Sequence, residues 1–184
     1  LKLMRVIRIG VAGLGTVGSE VVRLLGERKS DFIRRLDAEL RIDAVCDHAV
    51  QREASRLKLP RRIQRTKRWK DLIRSSNLDI IVETMGGIED ARALVLGALR
   101  SGKHVVTANK RLLAHHWDEL FRASQDAGRR ICFEASVAGG IPILQSIHQS
   151  LAANQIRRVF GILNGTTNFI LTRMAHHHET VGQA

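Results

Sequence analysis

The sequence has no tyrosine, and its aromatic residues are limited to five phenylalanines and two tryptophans. Proteins that bind single-stranded nucleic acids stack bases on aromatic side chains, so this scarcity argues against that function although the formal net charge is +12. The basic residues are spread along the chain, with one local concentration between Arg61 and Lys70. We therefore interpret the charge as a basic surface that attracts phosphorylated cofactors and anionic substrates, and we expect no nucleic-acid partner.

Cysteine, proline and long apolar runs are also scarce. Cys46 and Cys132, the two cysteines, lie in apparent strands without metal-site spacing, so we expect both to be buried small hydrophobes. No apolar run approaches the roughly 20 residues that a membrane span needs, and the N-terminus lacks the apolar segment of a signal peptide. With only two prolines and no low-complexity tract, the chain is predicted to be a soluble, cytoplasmic protein with no membrane partner.

A glycine-rich turn at residues 10–22, GVAGLGTVGSEVV, is the feature around which the predicted fold is arranged. Gly13 permits a tight turn, Gly15 lets a pyrophosphate approach the backbone, and Gly18 lets a helix lie close against the preceding strand. The N–H groups of the first helical turn, together with the helix dipole, favour phosphates there. A plain glycine turn is the alternative. The apolar strand Val6–Ala12 before the turn and the helical spacing after it favour a dinucleotide site.

An acidic residue ends the second predicted strand, Ile42–Asp47. In dinucleotide-binding folds such a residue hydrogen-bonds the adenosine ribose, although Asp47 lies further from the first glycine than the usual spacing of about 20 residues. A capping or turn role is the alternative. A carboxylate at the ribose repels the 2′-phosphate of NADP and so favours NAD, whereas Arg52 and Arg56 would reverse this preference by pairing with the phosphate.

Strands and helices alternate through the next part of the chain. Further strands are predicted at Asp79–Glu83, Lys103–Thr107 and Ile131–Ser136, with a weak one near Ile63. The helix that starts at Lys110 is predicted to bury one stripe of side chains: Leu113, Trp117, Leu120, Phe121 and Ala127. This alternation predicts an α/β fold with a doubly wound, Rossmann-type parallel sheet over residues 1–141.

The remaining residues, 142–184, are predicted to begin a second, α+β domain. A helix is expected at Pro142–Ala152, a strand at Arg157–Leu163 and a helix from Gly165 to near Met174.

Several residues near the ends of the later strands are candidates for chemistry. Gly86 and Gly87 follow a central strand, where ligands bind in open α/β sheets, so their backbone is expected near the nicotinamide half, with a simple strand-to-helix turn as the alternative. Lys110 opens a helix, where the dipole disfavours a cation, and this favours contact with an anion or a reacting oxygen. Glu134 lies in an apolar strand and must be paired or coordinate something.

Three blocks of sequence closely resemble homoserine dehydrogenase, in order and at the family's spacing. They are GGIEDARALVLGALRSGKHVVTANKRLLA, FEASVAGGIPILQSI and GILNGTTNFILTRM. The resemblance covers most of the chain from about Val6 to Met174. It implies reversible reduction of L-aspartate 4-semialdehyde to L-homoserine, in threonine and methionine biosynthesis, with NAD or NADP.

The resemblance also implies roles for individual residues. Leu14, Gly15, Thr16 and Val17 would hold the pyrophosphate, while Thr84 and Met85 would lie along the cofactor. Lys110 of the Ala-Asn-Lys motif would contact cofactor or substrate. A monovalent cation such as Na⁺ would be held by four residues, through a carboxylate and backbone carbonyls: Glu134, Val137, Gly139 and Ile141.

The family pattern continues beyond the last block into a segment with an acidic substrate-binding residue and the lysine thought to donate the proton. This sequence ends at Ala184, and His176-His177-His178 does not replace that segment, so we expect a fragment with impaired catalysis. The apolar segment at 157–163 would then be uncovered, and we expect association into a homo-oligomer. The alternatives are a non-catalytic NAD(P)-binding module and another semialdehyde or amino-acid oxidoreductase on the same fold.

Overall fold

The computed structural model describes residues 4–162 and 164–183. Contacts along the chain divide it into two compact units, residues 1–136 and residues 137–184. The domain boundary between residues 141 and 142 stays a prediction from the sequence. Among the described residues, no helix is both long and apolar enough to cross a lipid bilayer.

A six-stranded sheet, parallel at every pairing, forms the centre of the first unit. Its strands are β1 (Arg5–Ala12), β2 (Ala38–Cys46), β3 (Gln64–Thr66), β4 (Ile80–Glu83), β5 (His104–Thr107) and β6 (Ile131–Cys132). They lie in the order β3-β2-β1-β4-β5-β6. The chain thus builds outward from β1 in one direction and then from β4 in the other, and the crevice between them is where such sheets bind ligands.

Helices cover both faces of this sheet, because successive strand residues point to opposite sides. They are α1 (Thr16–Glu27), α2 (Lys29–Leu36), α3 (Val50–Arg56), α4 (Trp69–Arg74), α5 (Glu89–Arg100) and α6 (Lys110–Asp126). Ile81 packs in one buried cluster with leucines of α4, α5 and α6. Its neighbour Val82 packs in a second cluster with Val22 of α1 and Val50 of α3. The predicted doubly wound, Rossmann-type α/β fold is confirmed.

The last strand is shorter than predicted. β6 contains two residues, and Glu134 lies in a 3₁₀ turn, Glu134–Ser136, so its predicted place inside a strand was wrong. Cys132 is exposed, whereas Cys46 is buried as expected. Cys132 pairs in register with Val106 of β5. Val106 is only partly buried, at the margin of the cluster that contains Val82. This face of the edge strand is therefore open to solvent.

Two aromatic residues of α6 are also more exposed than predicted. Leu113 and Leu120 are buried, but Trp117 and Phe121 are 38% and 44% exposed. Their rings stack on each other with centroids 5.4 Å apart, and Trp117 meets Phe133 edge-on at 4.9 Å. The backbone of His116 has non-helical dihedrals, so the helix does not keep the single straight stripe that the periodicity assumed.

The regular elements of the second unit are helices among its described residues. α7 (Ile143–Gln145) continues into a π-helical turn, Ser146–Ser150, inside the helix predicted at Pro142–Ala152. α8 (Gly165–His177) begins at the predicted residue, with the Asn164 side chain accepting the Thr167 N–H at 2.9 Å, and runs past Met174.

The strand predicted at Arg157–Leu163 was wrong over residues 157–162, which are irregular, and Leu163 lies outside the described residues. No strand pairs with this segment in the part of the chain that the structure describes. An apolar run is not enough for a strand without a partner for its backbone groups. Its large side chains remain exposed, Phe160 by 86% and Ile162 by 75%.

Candidate dinucleotide-binding site

Gly13 and Gly18 are required by the backbone that surrounds them. Gly13 adopts φ +90°, and a Cβ there would lie 2.5 Å from the Thr84 carbonyl oxygen. A Cβ on Gly18 would lie 1.9 Å from the Gly13 carbonyl oxygen. The first glycine therefore permits the turn and the third permits close packing of α1 on the turn, as the sequence predicted.

Gly15 is not required by the protein itself. Its φ is −66°, which any residue adopts, and a Cβ there would meet nothing within 4 Å. The helix that follows has no side-chain cap and no acidic residue in its first turn among the described residues. Because the first turn of a helix leaves N–H groups unpaired, these donors and the helix dipole favour an anion beside Gly15.

Asp47, immediately after β2, anchors the glycine turn. Its Oδ2 accepts the backbone N–H of Leu14 at 2.8 Å, and its Oδ1 accepts that of Ala49 at 2.8 Å. The turn role that the sequence left open as an alternative is therefore present. Each carboxylate oxygen retains a further lone pair, so these contacts leave a hydrogen bond to a ribose feasible.

A cavity of about 490 Å³ lies beside Asp47 and is lined by Gly15, Thr16, Arg52 and Arg56. Both arginines are paired with Glu53, Arg56 at 2.7 Å and Arg52 at 3.0 Å. The hydrogen bond from Arg56, followed by that from Arg52, holds the pKa of the Glu53 carboxyl below its usual range. The guanidinium charge next to the cavity is therefore partly neutralised.

Thr84 also holds the glycine turn. Its hydroxyl donates to the Gly13 carbonyl oxygen at 2.8 Å, and the Ala12 carbonyl oxygen lies 3.0 Å from the same hydroxyl. It further lines a cavity of about 230 Å³ with Val17, Gly86 and Lys110. Three of the predicted cofactor residues on the loops after β4 and β5, namely Thr84, Gly86 and Lys110, therefore meet at one cavity, whereas Met85 lines a different one.

Lys110 is the first residue of α6 and is exposed at that cavity. The Asn109 side chain caps the helix by accepting the Leu112 N–H at 3.1 Å. The ammonium group is thus carried at the carboxyl edge of the sheet, on the side of β4 and β5. The sequence predicted this position for a cation that contacts an anion or a reacting oxygen.

A third cavity lies between the loops that follow β2, β3 and β4. Gly13, Asp47, Met85 and Gly86 line it, together with residues that the sequence did not single out: His48, Lys67, Trp69 and Asp90. Lys67 and Trp69 follow β3, the strand that pairs with β2 at one end of the sheet order. The weak strand near Ile63 was the available signal, because residues just after a parallel strand reach the binding edge.

Cys46 faces the same cavity but is not a reactive thiol. Burial, with a smaller contribution from the Asp47 charge, raises its pKa to about 11. The thiolate that reacts with electrophiles or binds metal is therefore scarce near neutral pH.

The four predicted cation ligands are divided between the two units. Glu134, half-buried, lies near the end of the first unit. In the second unit, Val137, Gly139 and Ile141 lie on an irregular loop in which Gly139 has φ +62° and Ile141 is 63% exposed. Among the described residues, no three or more histidine, cysteine, aspartate or glutamate side chains form a cluster that could hold a metal ion.

Comparison with known proteins matches two family profiles to this chain. "Homoserine dehydrogenase, NAD binding domain" matches residues 13–134, and "Homoserine dehydrogenase" matches residues 142–184. A homoserine dehydrogenase of Bacillus subtilis is 40% identical over 171 residues, which are 93% of this chain and 39% of that protein.

Solved structures agree with the sequence comparison. The crystal structure of a homoserine dehydrogenase from Thiobacillus denitrificans matches with a TM-score of 0.89 and 39% identity, over 97% of this chain and 41% of that one. A hyperthermophilic archaeal homoserine dehydrogenase in complex with NADPH matches with a TM-score of 0.77 and 25% identity, over 96% and 58% of the two chains.

The open space at Gly15 leads to a prediction. We expect Gly15→Val to preserve the fold, because the site has room for a side chain, and to abolish NADH binding, because that side chain occupies the place of the pyrophosphate. Calorimetry with NADH measures the binding, and thermal unfolding checks the fold. Gly26→Val is the matched control, since Gly26 lies on the same helix and also has nothing within 4 Å of a Cβ. Equal NADH affinity in wild type and Gly15→Val would remove the pyrophosphate from this turn.

Proposed function

The chain belongs to the homoserine dehydrogenase family, and we propose that it forms the cofactor-binding part and the start of the substrate-binding part of such an enzyme. It spans about 39% of the length of the Bacillus subtilis relative. The activity proposed for the complete enzyme is the reversible, NAD(P)-dependent reduction of L-aspartate 4-semialdehyde to L-homoserine.

The observation that carries this proposal is the row of three cavities along the carboxyl edge of the sheet. They run from Arg52 and Asp47, past Gly13 and Gly86, to Lys110. We place the adenosine at the Asp47 end, the pyrophosphate on the first turn of α1 and the nicotinamide beside Gly86 and Gly87. The uncapped helix N-terminus and the open space at Gly15 support the central part of this placement.

Bound NAD(P)H supplies the hydride that reduces the aldehyde. The chain's own residues bind and orient: Leu14 to Val17 hold the pyrophosphate, and Thr84 fixes the turn through its hydroxyl. Lys110 holds the substrate or the cofactor through its positive charge. Positioning of this kind is a large part of the rate enhancement in two-substrate reactions.

We also propose the monovalent cation that the family resemblance implies. A carboxylate from Glu134 and carbonyl oxygens from Val137, Gly139 and Ile141 are hard ligands that suit Na⁺. The irregular backbone from Val137 to Ile141 supports this proposal, since a carbonyl oxygen there keeps a lone pair for an ion even where, as at Ile141, it accepts a backbone N–H at 2.8 Å.

Small molecules and further copies of the chain are the proposed partners. Exposed apolar side chains of the second unit support a homo-oligomer: Val159, Phe160, Ile162, Phe169 and Leu171. Many arginines pair with acidic side chains, as Arg92 does with Glu119 at 2.6 Å, which supports a solvated basic surface over a nucleic-acid interface. The cytoplasmic location stays a prediction.

The cofactor preference is the first prediction of this proposal. Because Asp47 is acidic and Glu53 partly neutralises the charge of Arg52 and Arg56, we expect NADH to bind more tightly than NADPH at the same salt concentration. Glu53→Gln frees both guanidinium groups, so its NADPH affinity should rise about tenfold. Calorimetry gives the four dissociation constants.

Glu20→Gln is the matched control, since Glu20 lines the same cavity but pairs with Arg23. Tighter NADPH binding by wild type would assign the 2′-phosphate to a cation such as Lys67.

Turnover provides the second prediction. The family resemblance places the proton donor in a segment that this chain does not contain, and general acid catalysis contributes about 10²–10⁴-fold. We therefore expect the 184-residue chain to oxidise homoserine at least 100-fold more slowly than the same chain extended by the corresponding segment of a homologue.

In the extended protein, Lys110→Ala should lower kcat/KM, whereas Lys58→Ala, at an exposed lysine elsewhere, should not. Near-normal turnover by the short chain would show that the acid lies within it.

A further inference from the structure

Glu83 is a carboxylate in the middle of the core, and the proposed function gives it no role. It ends β4 and is 0% exposed. Its Oε2 accepts the Thr107 hydroxyl at 2.5 Å, and its Oε1 accepts the Met85 backbone N–H at 3.0 Å. Burial of an unpaired carboxylate is costly, so these two contacts are what make the residue tolerable there.

The hydrogen bonds continue from Thr107 to the next loop. Thr107 Oγ1 accepts the Asn109 backbone N–H at 3.0 Å. The Asn109 side-chain amide in turn donates to the Gly87 carbonyl oxygen at 2.8 Å. The contacts therefore close a ring that leaves the loop after β4 at Met85, crosses β5, and returns to the same loop at Gly87.

Met85 and Ile88, on either side of Gly86 and Gly87, pack against the core, but no packing contact holds the two glycines themselves. Gly86 and Gly87 have φ +74° and +71°, and a Cβ on either would meet nothing within 4 Å. Two consecutive glycines in the left-handed region have wide conformational freedom. The ring of hydrogen bonds is therefore the restraint that defines the path of Gly86 and Gly87 beside Lys110.

We infer that Glu83, Thr107 and Asn109 are positioning residues that fix the two loops around the nicotinamide half of the cofactor, with the Thr107 hydroxyl joining them. This inference rests on the proposed cofactor site. None of the three side chains needs to touch the cofactor. They act through Gly86, Gly87 and Lys110, whose places they set. Their loss should weaken the binding of the nicotinamide half of the ligand and leave the binding of the adenosine diphosphate half unchanged.

Thr107→Val tests the inference because valine keeps the shape of threonine and removes the hydroxyl. Calorimetry of the 184-residue chain with NADH and with ADP-ribose separates the two halves of the site, since ADP-ribose lacks the nicotinamide. We expect Thr107→Val to raise the dissociation constant of NADH about tenfold, with that of ADP-ribose unchanged. Thr107→Ser retains the hydroxyl and should restore NADH affinity. Equal weakening of both ligands, or no weakening of NADH, would overturn the inference.

Asn109→Ser provides a second, milder test. Serine still caps α6 by accepting the Leu112 N–H, but it is too short to reach the Gly87 carbonyl. We expect the same pattern, weaker NADH binding with unchanged ADP-ribose binding, and an unchanged NADH affinity would contradict the inference. Failure of the wild-type chain to bind either ligand would instead contradict the proposed function, so the two failures are distinguishable.

Discussion

The contact between Gly18 and the carbonyl oxygen of Gly13 is the constraint on which the rest of the site depends. There is no room for a Cβ at this point, and the Thr84 hydroxyl donates to the same carbonyl from the neighbouring strand. Strand β1, helix α1 and strand β4 are therefore joined at one place. This junction directs the first turn of α1 along the crevice between β1 and β4, where N–H groups and the helix dipole attract phosphate.

On each side of the crevice, a carboxylate at the end of a strand holds the backbone of a loop in the same way. Asp47 lies directly after β2 and accepts the Leu14 N–H. Glu83 is the last residue of β4 and accepts the Met85 N–H. Each acidic side chain thereby fixes the backbone of a loop that faces the ligand. Because a hydrogen bond to a carboxylate is stronger than one between neutral groups, short glycine-rich loops can be held without bulky side chains.

Much of the fold was predictable because its signals are local. The apolar strand Val6–Ala12, the three glycines and the helical spacing after them lie within a short stretch and require no knowledge of the rest of the chain. The errors came at residues whose burial or secondary structure depends on parts of the chain that are distant in sequence. Glu134 looks like a strand residue and Cys132 like a buried one, but β6 is two residues long and pairs with Val105 and Val106 of β5. Residues 159–162 are apolar and yet have no partner strand among the described residues.

The candidate site was predictable in outline for the same reason. The glycines and Lys110 carry their own signals, because each lies directly beside a strand end or a helix start. The contact of Asp47 with Leu14 joins residues 33 positions apart, and no spacing rule predicts it. Glu83 and Thr107 read as ordinary ends of apolar strands, and only the parallel register of β4 and β5 places them side by side. The acidic residue that closes the run DIIVE was the available signal.

The most direct test of a dinucleotide lying along this edge is a map of backbone amide shifts during titration with NADH. We predict large shifts for the N–H groups of Gly15 to Val17, which would meet the pyrophosphate, and for Gly86 and Gly87 beside the nicotinamide. Amides at the opposite edge of the sheet, such as those of Arg5 and Leu40, should not shift. Saturable shifts confined to residues away from the glycine turn, or no shifts at millimolar NADH, would contradict this placement of the dinucleotide.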